Sequence, residues 1–347
     1  MEKFKVIGLM SGTSLDGLDI AYCEFWLENN QWNFKILKGE TIAYTSEWKN
    51  RFLACETSTA LQLIENHKAF GTFCGNAVKQ FCAKYNFSPD FVSSHGHTIF
   101  HQPQKNITFQ LGCGATIAAV SSFKTVCDFR STDVALGGQG APLVPIGDEL
   151  LFAEYDYCLN LGGFANVSFN ENGKRIAFDI CPANIVLNYL SEQKGKPYDE
   201  NGNWAKNGNT NIELLNTLNN LPFYSQSGPK SLGKEWVLES IFPLLKNNIL
   251  VDDLLNTFTL HIAEQIATVL KNGKVLVTGG GAFNSFLTGQ LQQKTEVKII
   301  IPDANTIQFK EALLFAFLGV LRVTEQNNAL QSVTGASRDN CGGAIYL

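Results

Sequence analysis

The chain has 347 residues, of which 45% are hydrophobic and 17% are charged, and its formal net charge at pH 7 is −5. This length suits two domains better than one core, and the composition is that of a globular protein without a disordered bias. The negative charge argues against nucleic acid as a partner, because surfaces that bind nucleic acid are rich in basic residues.

Neither a targeting segment nor a membrane segment is expected. The first predicted strand begins at Phe4, which leaves no room for a signal peptide, and the longest apolar helical stretch, 312–323, is too short to cross a bilayer. The nine cysteines form no C-x-x-C pair and lie in apolar stretches, as is typical of buried thiols in a reducing compartment. We therefore expect a cytoplasmic protein that binds no membrane.

The first predicted elements form a β-hairpin. Apolar strand patterns at 4–10 and 18–27 flank the turn SGTSLDG at 11–17. Glycines let backbone N–H groups approach an anion, hydroxyl groups donate to phosphate oxygens, and Asp16 or Asp19 is a candidate ligand of hydrated Mg²⁺. No Gly-Lys-Ser/Thr follows, which excludes a Walker loop. The turn is interpreted as a phosphate-binding hairpin, and an ordinary polar turn is the alternative.

The rest of the first half continues in a regular order. The patterns predict a strand at 33–45, a helix at about 58–86, a buried strand at 90–94, a short helix at 112–123 and another buried strand at 124–128. With the hairpin, this gives the order β-β-β-α-β-α-β.

A polar stretch, SHGHT at 94–98, ends the first buried strand, and His101 follows it. His95, His97 and His101 share strand parity, so a metal site is one interpretation. A glycine interrupts the run, and His101 precedes Gln-Pro in an expected loop. The other interpretation is a site for a hydroxylated ligand, which polar side chains at the carboxyl end of a strand more often bind.

Charged residues follow the second buried strand. Asp128, Arg130 and Asp133 lie within six residues and lead into the glycine-rich run 137–142. This pattern indicates a hinge lined with sugar-binding groups, and a surface salt-bridge cluster is the alternative.

The second half repeats the order of the first. Its predicted elements are strands at 155–161, 164–169 and 175–179, helices at 183–194, 234–247 and 253–272, a strand at 274–278, a helix after the glycines at 279–281, a strand at 297–301 and a long helix at 308–325. Two such halves facing one another make a cleft for a polyphosphate. The polar, weakly periodic segment 195–231 is expected to be an excursion that closes over a substrate.

Two glycine turns of the second half indicate a nucleotide. NLGGFAN at 160–166 forms the second hairpin turn, which alone is weak evidence because Gly-Gly closes many hairpins. TGGGAFN at 278–284 is stronger, since a buried strand runs into three glycines and then a helix, which lets a base or ribose lie against backbone. A tight strand-to-helix turn is the alternative.

Two carboxylates each allow two interpretations. Asp179 ends a predicted strand just before a helix, where it is either a general base or a helix cap. Glu311, near the start of the last long helix, is either a first-turn helix charge or a ligand contact.

Taken in order, these motifs resemble the anhydro-N-acetylmuramic acid kinase family. The matching stretches span residues 8–336, and the most specific are GLMSGTSLDGLD and GGQGAPLVP, whereas TGGGAFN is shared with many kinases of the actin and hexokinase superfamily. The other matching stretches are SHGHT with His101, DFRSTDVAL, NLGGFANVS, FDICPAN, YDENGNWAKNG, GPKSLGKE, EALLFAFLG and SVTGA.

The resemblance implies an α/β fold with duplicated ribonuclease-H-like domains of the actin/hexokinase type, each β-β-β-α-β-α-β, flanking an ATP/sugar cleft. We expect residues 1–132 plus about 326–347 in the first domain, residues 133–325 in the second and a hinge near 132–140. The implied enzyme is a cytoplasmic homodimer that converts 1,6-anhydro-N-acetylmuramic acid, ATP and water into N-acetylmuramic acid 6-phosphate and ADP during bacterial cell-wall recycling.

The resemblance also implies the roles of individual residues. Asp179 matches the catalytic base that activates water to attack C1 of the sugar, and Asp16 and Asp19 are the expected Mg²⁺ ligands. The residues expected to bind ATP are Gly12, Thr13, Ser14, Leu15, Asp16, Gly17, Leu18, Asp19, Gly162, Gly163, Asn166, Gly279, Gly280, Gly281 and Asn284. Those expected to bind the sugar are Thr98, Arg130, Asp133 and Glu311.

The sequence departs from the family pattern around the base. The usual Asp-Thr-Gly-Pro-Gly-Asn is here Asp-Ile-Cys-Pro-Ala-Asn at 179–184, His97 replaces a usual Gln, and Leu232 replaces a usual Thr. A backbone N–H donor survives Gly→Ala where φ is negative, so we interpret the chain as a divergent but active enzyme.

Two other functions are considered. Another actin-superfamily sugar kinase would phosphorylate an open sugar and would not need Asp179 as a water-activating base. A non-catalytic sugar or nucleotide sensor would keep the glycine turns but lose the chemistry. The intact Asp179 and Arg130 argue against the sensor, and no DNA-binding appendage is visible.

Overall fold

The chain divides into two units, each built on its own β-sheet. The computed structural model describes residues 3–226, 228, 230–246 and 248–347. One unit comprises residues 1–151 and 309–347, and the other comprises residues 152–308.

The strands and helices alternate as an α/β chain. The strands are β1 (Lys3–Ser11), β2 (Gly17–Glu28), β3 (Gln31–Ala43), β4 (Phe91–Gln102), β5 (Ile107–Leu111), β6 (Thr125–Cys127), β7 (Tyr157–Leu161), β8 (Phe164–Glu171), β9 (Lys174–Pro182), β10 (Lys274–Thr278), β11 (Lys298–Ile300) and β12 (Ala344–Tyr346). The α-helices are α1 (Ser46–Cys55), α2 (Ala60–Tyr85), α3 (Gly114–Ser121), α4 (Ser131–Ala135), α5 (Val144–Leu151), α6 (Asn184–Glu192), α7 (Asn203–Asn207), α8 (Ile212–Asn219), α9 (Lys234–Trp236), α10 (Val251–Val269), α11 (Ser285–Lys294), α12 (Ala304–Val323) and α13 (Gln331–Thr334). Short 3₁₀ helices lie at Pro103–Lys105, Glu200–Gly202, Phe242–Leu244 and Gly280–Phe283, and a π-helical turn at Val237–Ile241.

The two sheets share one topology. The first has the order β12-β6-β4-β1-β2-β3, with β5 also paired to β4, and the second has the order β11-β10-β7-β8-β9. In each sheet the opening three strands form an antiparallel meander, and the first of them also pairs in parallel with the strand that follows the helices. The next strand is parallel to that one. The duplicated β-β-β-α-β-α-β prediction is therefore confirmed.

The unit boundaries differ from those expected from the sequence. They fall after α5 and within α12, not at 132/133 and 325/326. Most of α12 packs on the first sheet, where the Ser93 hydroxyl of β4 donates to the Phe315 carbonyl at 2.5 Å. A Cβ at Gly8 of β1 would collide with the Ala312 carbonyl, so glycine here allows the helix backbone to approach the sheet. Local periodicity does not reveal such a tertiary contact.

Local chemistry explains the ends of several elements. α2 begins in a reciprocal cap between Thr59 and Gln62 and ends at Asn86, whose φ of 54° is left-handed. The expected helix at 234–247 is interrupted, because Pro243 lies in the first turn of a separate 3₁₀ helix. The last residue of that prediction, Asn247, lies outside the described residues.

Some predicted elements are wrong in extent. β4 continues to Gln102 and pairs with β5, so His101 lies in a strand and not in a loop. The excursion at 195–231 contains α7 and α8, and α1, α4 and α5 were not anticipated. These helices are mostly short, and one or two turns give too few repeats for a clear periodic signal.

Candidate active site

Three strands of the first unit end at one edge of its sheet. β1, β4 and β6 are parallel neighbours, so their carboxyl ends lie side by side. The turn 12–16 follows β1, Arg130 follows β6, and His95 and His97 lie in the middle of β4, where its parallel pairing with β6 and β1 ends. The fold thus brings together polar groups that are far apart in the sequence.

The turn after β1 is open to a ligand. Leu15 has a left-handed φ of 59°, and its N–H donates to the Gly12 carbonyl at 3.3 Å. A Cβ at Gly12 would come no closer than 3.7 Å to any protein atom, the Ser14 hydroxyl oxygen. Packing within the protein therefore does not require glycine at this position. Close approach of a phosphate to the backbone would require it.

A buried hydrogen-bond chain supports the start of this turn. The Tyr44 hydroxyl donates to Ser11 Oγ at 2.6 Å, and Ser11 Oγ lies 2.8 Å from His97 Nδ1. His97 is stacked on Phe52 with a centroid distance of 4.0 Å. Burial lowers the pKa of His97 to about 4, so the ring is neutral at physiological pH. Ser11 is thus fixed from both sides.

The carboxylates near the turn suit a divalent cation. Thr41 donates to Asp19 Oδ1 at 2.5 Å. Burial raises the pKa of Asp19, the Thr41 hydroxyl lowers it, and the Asp16 charge raises it again. The pKa of Glu311 is raised by desolvation and by Asp19 and lowered by Arg130. Mg²⁺ usually binds one or two carboxylates together with water and phosphate oxygens, so Asp16 and Asp19 are a fitting donor set.

The three histidines of the SHGHT region contact different partners. His95 lies against Arg130, His97 against Ser11, and His101 against the Thr108 hydroxyl at 3.3 Å. Within residues 3–226, 228, 230–246 and 248–347, no three His, Cys, Asp or Glu side chains are placed to hold a metal ion. The metal interpretation of these histidines is therefore wrong.

Arg130 is held in place by neutral groups. Its Nε and Nη2 lie 3.2 and 2.8 Å from His95 Nε2, and its Nη1 donates to the Gly140 carbonyl at 2.6 Å. Burial lowers the pKa of Arg130 to about 10, against the opposing effect of Glu311 and Asp133. The guanidinium remains charged at neutral pH.

Asp133 supports the loop after α4. Its carboxylate is fully buried and accepts from the Gly140 N–H, the Thr334 hydroxyl and the Asn340 amide, each at 2.8 Å. The Asp133 carboxylate thus positions Gly140, whose carbonyl in turn holds Arg130, and the predicted sugar contact of Asp133 stays a prediction. Thr98 of β4 is half-buried, and the Gln110 amide donates to its hydroxyl at 3.4 Å.

In the second unit, two glycine turns meet at one sheet edge. β7 and β10 are parallel neighbours, so Gly162-Gly163 after β7 and Gly279 to Gly281 after β10 lie close together. The Gly163 carbonyl accepts from the N–H groups of Ala183 at 2.8 Å and Ile185 at 3.2 Å. Ala183 has a φ of −132°, so the N–H donor expected to survive the loss of glycine is present.

A cavity of about 500 Å³ lies beside the triple-glycine turn within the second unit. Its lining includes Asn184, Glu200, Asn201, Gly280, Gly281 and Asn284. Gly279 has a φ of 80°, and a Cβ there would meet the Asn160 side chain at 2.5 Å, whereas Gly280 has no neighbour nearer than 3.8 Å. Gly279 is thus required by the turn, and Gly280 presents bare backbone to the cavity.

Asp179 lies in β9, opposite Asn166 of β8. Its N–H donates to the Lys230 carbonyl at 2.9 Å, and its Oδ2 accepts from the Leu232 N–H at 2.8 Å. Burial raises the pKa of Asp179, and the Leu232 N–H lowers it. The helix-cap interpretation is wrong, because the N-cap of α6 is Ala183. A half-buried, backbone-anchored carboxylate is suited to accepting a proton.

Several contributors to these sites were not found from the sequence. Glu200 and Asn201 line the cavity, the Leu232 N–H anchors Asp179, and Tyr44 anchors Ser11. The segment 198–203 carried a signal of its own, as an Asn/Gly-rich stretch in which Asn201 takes a left-handed φ of 57°. Leu232 was noted only as a departure from the family pattern.

A family model described as anhydro-N-acetylmuramic acid kinase matches residues 4–347. The chain belongs to the anhydro-N-acetylmuramic acid kinase family. The member of this family from Sulfurimonas denitrificans is 33% identical over 98% of this chain and 98% of its own, and the one from Clostridioides difficile is 34% identical over 95% of each. A ligand-bound xylulose kinase from Lactobacillus acidophilus is a similar solved structure, with a TM-score of 0.45, 10% identity, and coverage of 99% of this chain and 93% of that chain.

Membership of the anhydro-N-acetylmuramic acid kinase family agrees with the motifs that first suggested it. The matched residues include both glycine turns, the segment 94–101 and Asp179. In the part of the chain that the structure describes, no helix combines the length and apolar character needed to span a bilayer.

Proposed function

We propose that this kinase opens 1,6-anhydro-N-acetylmuramic acid with water and phosphorylates O6 with ATP, giving N-acetylmuramic acid 6-phosphate and ADP. Family membership over residues 4–347 supports the reaction. The observation that carries the mechanism is Asp179, a half-buried carboxylate whose Oδ2 is fixed by the Leu232 N–H. Phosphoryl transfer alone needs chiefly alignment and charge neutralisation, whereas hydrolytic ring opening also needs a positioned base.

ATP is assigned to the glycine turns. Gly280 and Gly281 offer backbone to a base or ribose in the cavity of about 500 Å³, with the Asn284 side chain at its rim. The turn Gly162-Gly163 and the turn 12–16 supply N–H and hydroxyl donors for the phosphates. Gly12 is unobstructed by its own protein, which supports its assignment.

The base step is assigned to Asp179. Oδ2 is oriented by the Leu232 N–H, so the carboxylate can take a proton from a water molecule that attacks C1 of the bicyclic sugar. Breaking the anhydro bridge frees O6, which then accepts the γ-phosphoryl group. Thr98, Arg130 and Glu311 are assigned to the sugar, and Asp133 is assigned to positioning Arg130 through Gly140.

Mg²⁺ is proposed as the metal, held by Asp16 and Asp19. Bound there with ATP, it would neutralise phosphate charge during transfer. The pKa of Asp19 is raised in part by Asp16, a repulsion that a cation removes. We further propose a cytoplasmic homodimer acting in cell-wall recycling, as is typical of the family.

The test is mass spectrometry of the product formed from 1,6-anhydro-N-acetylmuramic acid, ATP and Mg²⁺ in ¹⁸O-water. The expected product is a 6-phosphate that carries ¹⁸O at C1, with activity lost on chelating Mg²⁺ and unaffected by a zinc-selective chelator. Phosphorylation of only an open amino sugar, without ¹⁸O, would instead make the protein an ordinary sugar kinase. No product with any sugar would favour a sensor.

A further inference from the structure

Arg130 is a half-buried cation without an anionic partner at contact distance. Burial lowers its pKa, yet among the described residues no carboxylate oxygen lies within 4.0 Å of its guanidinium nitrogens. Glu311 and Asp133 act on it only through longer-range electrostatics. The oxygens of Asp133 are occupied by Gly140, Thr334 and Asn340. A half-buried cation in this state gains from an anionic ligand that completes its pairing.

The tautomer of His95 follows from its two neighbours. Its Nδ1 lies 2.9 Å from the Gly96 carbonyl, which can only accept, so Nδ1 carries the proton. Its Nε2 lies 2.8 Å from Arg130 Nη2, which can only donate, so Nε2 presents its lone pair. His95 is 6% exposed and packs on Phe315 with a centroid distance of 4.4 Å. Its pKa is well below the ordinary value, because of burial and the Arg130 charge.

Counting donors shows what Arg130 has left. A guanidinium has five N–H groups. Nε and one N–H of Nη2 are directed to His95, and one N–H of Nη1 is directed to Gly140. One N–H on each Nη remains for a ligand, and guanidinium N–H groups form charge-assisted hydrogen bonds with carboxylate oxygens.

We propose that Arg130 binds the lactyl carboxylate of the muramic acid substrate, and that His95 is a positioning residue that aims the guanidinium while leaving its charge unpaired. The assignment rests on the proposed function. An acidic side chain in place of His95 would also hold Arg130, but it would neutralise the charge that attracts the substrate. A neutral imidazole fixes the geometry without that loss. The enzyme therefore discriminates muramic from glucosamine-type sugars by charge.

The first test compares 1,6-anhydro-N-acetylmuramic acid with its lactyl carboxamide, which has the same shape but no charge. We expect the natural enzyme to prefer the acid by about 100-fold in kcat/KM, because a desolvated charge pair is lost with the amide. Equal use of both substrates would overturn the inference while leaving the proposed function intact. If the enzyme turned over neither substrate, both this inference and the proposed function would be overturned.

The second test measures the same ratio in variants. In Arg130→Gln, the ratio of kcat/KM for the acid to kcat/KM for the amide should fall to within about threefold of 1, chiefly because activity on the acid is lost. His95→Gln can accept from Arg130 and donate to Gly96, so it should keep most of the preference, whereas His95→Phe should lose it. Arg51→Gln is the matched control, because Arg51 is an exposed residue paired with Glu47 on α1.

The ratio separates positioning from a general structural effect. A merely structural loss in His95→Phe would lower activity on acid and amide alike and would leave their ratio at the natural value. That result, or a preserved ratio in Arg130→Gln, would refute the assignment. ATP affinity should be unchanged in both His95 variants.

Discussion

The two units share a sheet topology but differ in the chemistry at the edge where parallel strands end. In the first unit this edge carries charge and neutral histidines, with Arg130, Asp19 and Glu311 near the ends of β1, β4 and β6. In the second unit it carries bare glycine backbone, amide side chains and the Glu200 carboxylate beside a cavity, together with the backbone-anchored carboxylate of Asp179.

This difference shows how one fold supports two kinds of recognition. A flat base or ribose needs close backbone approach, which Gly280 allows. A charged sugar and phosphates need charged groups and hydrogen-bond donors in fixed positions. In the first unit, the buried neutral His95 and His97 contact Arg130 and Ser11 and fix their positions. In the proposed assignment, the two units share a scaffold and the groups at equivalent edges determine which ligand each one binds.

The sharpest way to break this comparison is to remove the charge of Asp179 in the second unit. Asp179→Asn should lower kcat by about 1,000-fold or more, because a general base is lost. The dissociation constant of ATP should stay unchanged. A weakened ATP affinity would instead assign Asp179 to the nucleotide site. Asp252→Asn, which alters a half-buried carboxylate paired with Lys194 and remote from β9 in the sequence, is the matched control.

Stability gives an internal check on the same variant. Burial raises the folded-state pKa of Asp179, so its ionisation disfavours the fold as the pH rises through that pKa. Asp179→Asn should therefore not lower the thermal midpoint at pH 7. A large decrease would mean that the loss of kcat reports unfolding.

The second prediction tests whether the first edge binds phosphate. Gly12→Val should weaken ATP binding by about 100-fold, measured by calorimetry, since the side chain would block phosphate from two or more backbone donors. Because a Cβ at Gly12 meets no protein atom within 3.7 Å, the free energy of unfolding should change little. Gly289→Val, at an equally open position on α11, should leave ATP affinity as it is. Unchanged affinity in Gly12→Val would remove this turn from the site.

The smallest expected effect concerns the pH dependence of the base. The Leu232 N–H lowers the pKa of Asp179, so Leu232→Pro, which lacks this donor, should raise it. Since the deprotonated form is active, the acidic limb of kcat/KM should move to higher pH, with activity restored at alkaline pH. Leu232→Ala keeps the N–H and should keep the natural profile. If the acidic limb of the kcat/KM profile lay at the same pH in both variants, the assignment of Asp179 as the base would be contradicted.

The fold was predicted well where local signals are strong. The two glycine-bearing hairpins, the buried strands and the duplicated order were read from turn residues and apolar runs, and the two sheets confirm them. The shorter elements α1, α4, α5, α7 and α8 were missed. β4 was predicted to end at residue 94, but the strand continues through Gly96, whose φ of 76° interrupts the strand pattern without ending the strand.

The site was only partly accessible from the sequence. Motif resemblance named Gly12, Arg130 and Asp179 as candidates, but it gave Asp133 a ligand contact that its complete burial opposes. It also gave no hint that His95 and Leu232 act on Arg130 and Asp179.

By itself, the sequence determined the class of fold, the family and the places where the backbone turns, because periodicity, glycine positions and motif order are local properties of the chain. Only the tertiary structure decided which groups hold the functional side chains. Arg130 meets His95 across 35 residues, Asp179 meets Leu232 across 53, and Asp133 meets Asn340 across 207. Such contacts depend on sheet order and helix packing, and the pKa and orientation of each functional group depend on those contacts.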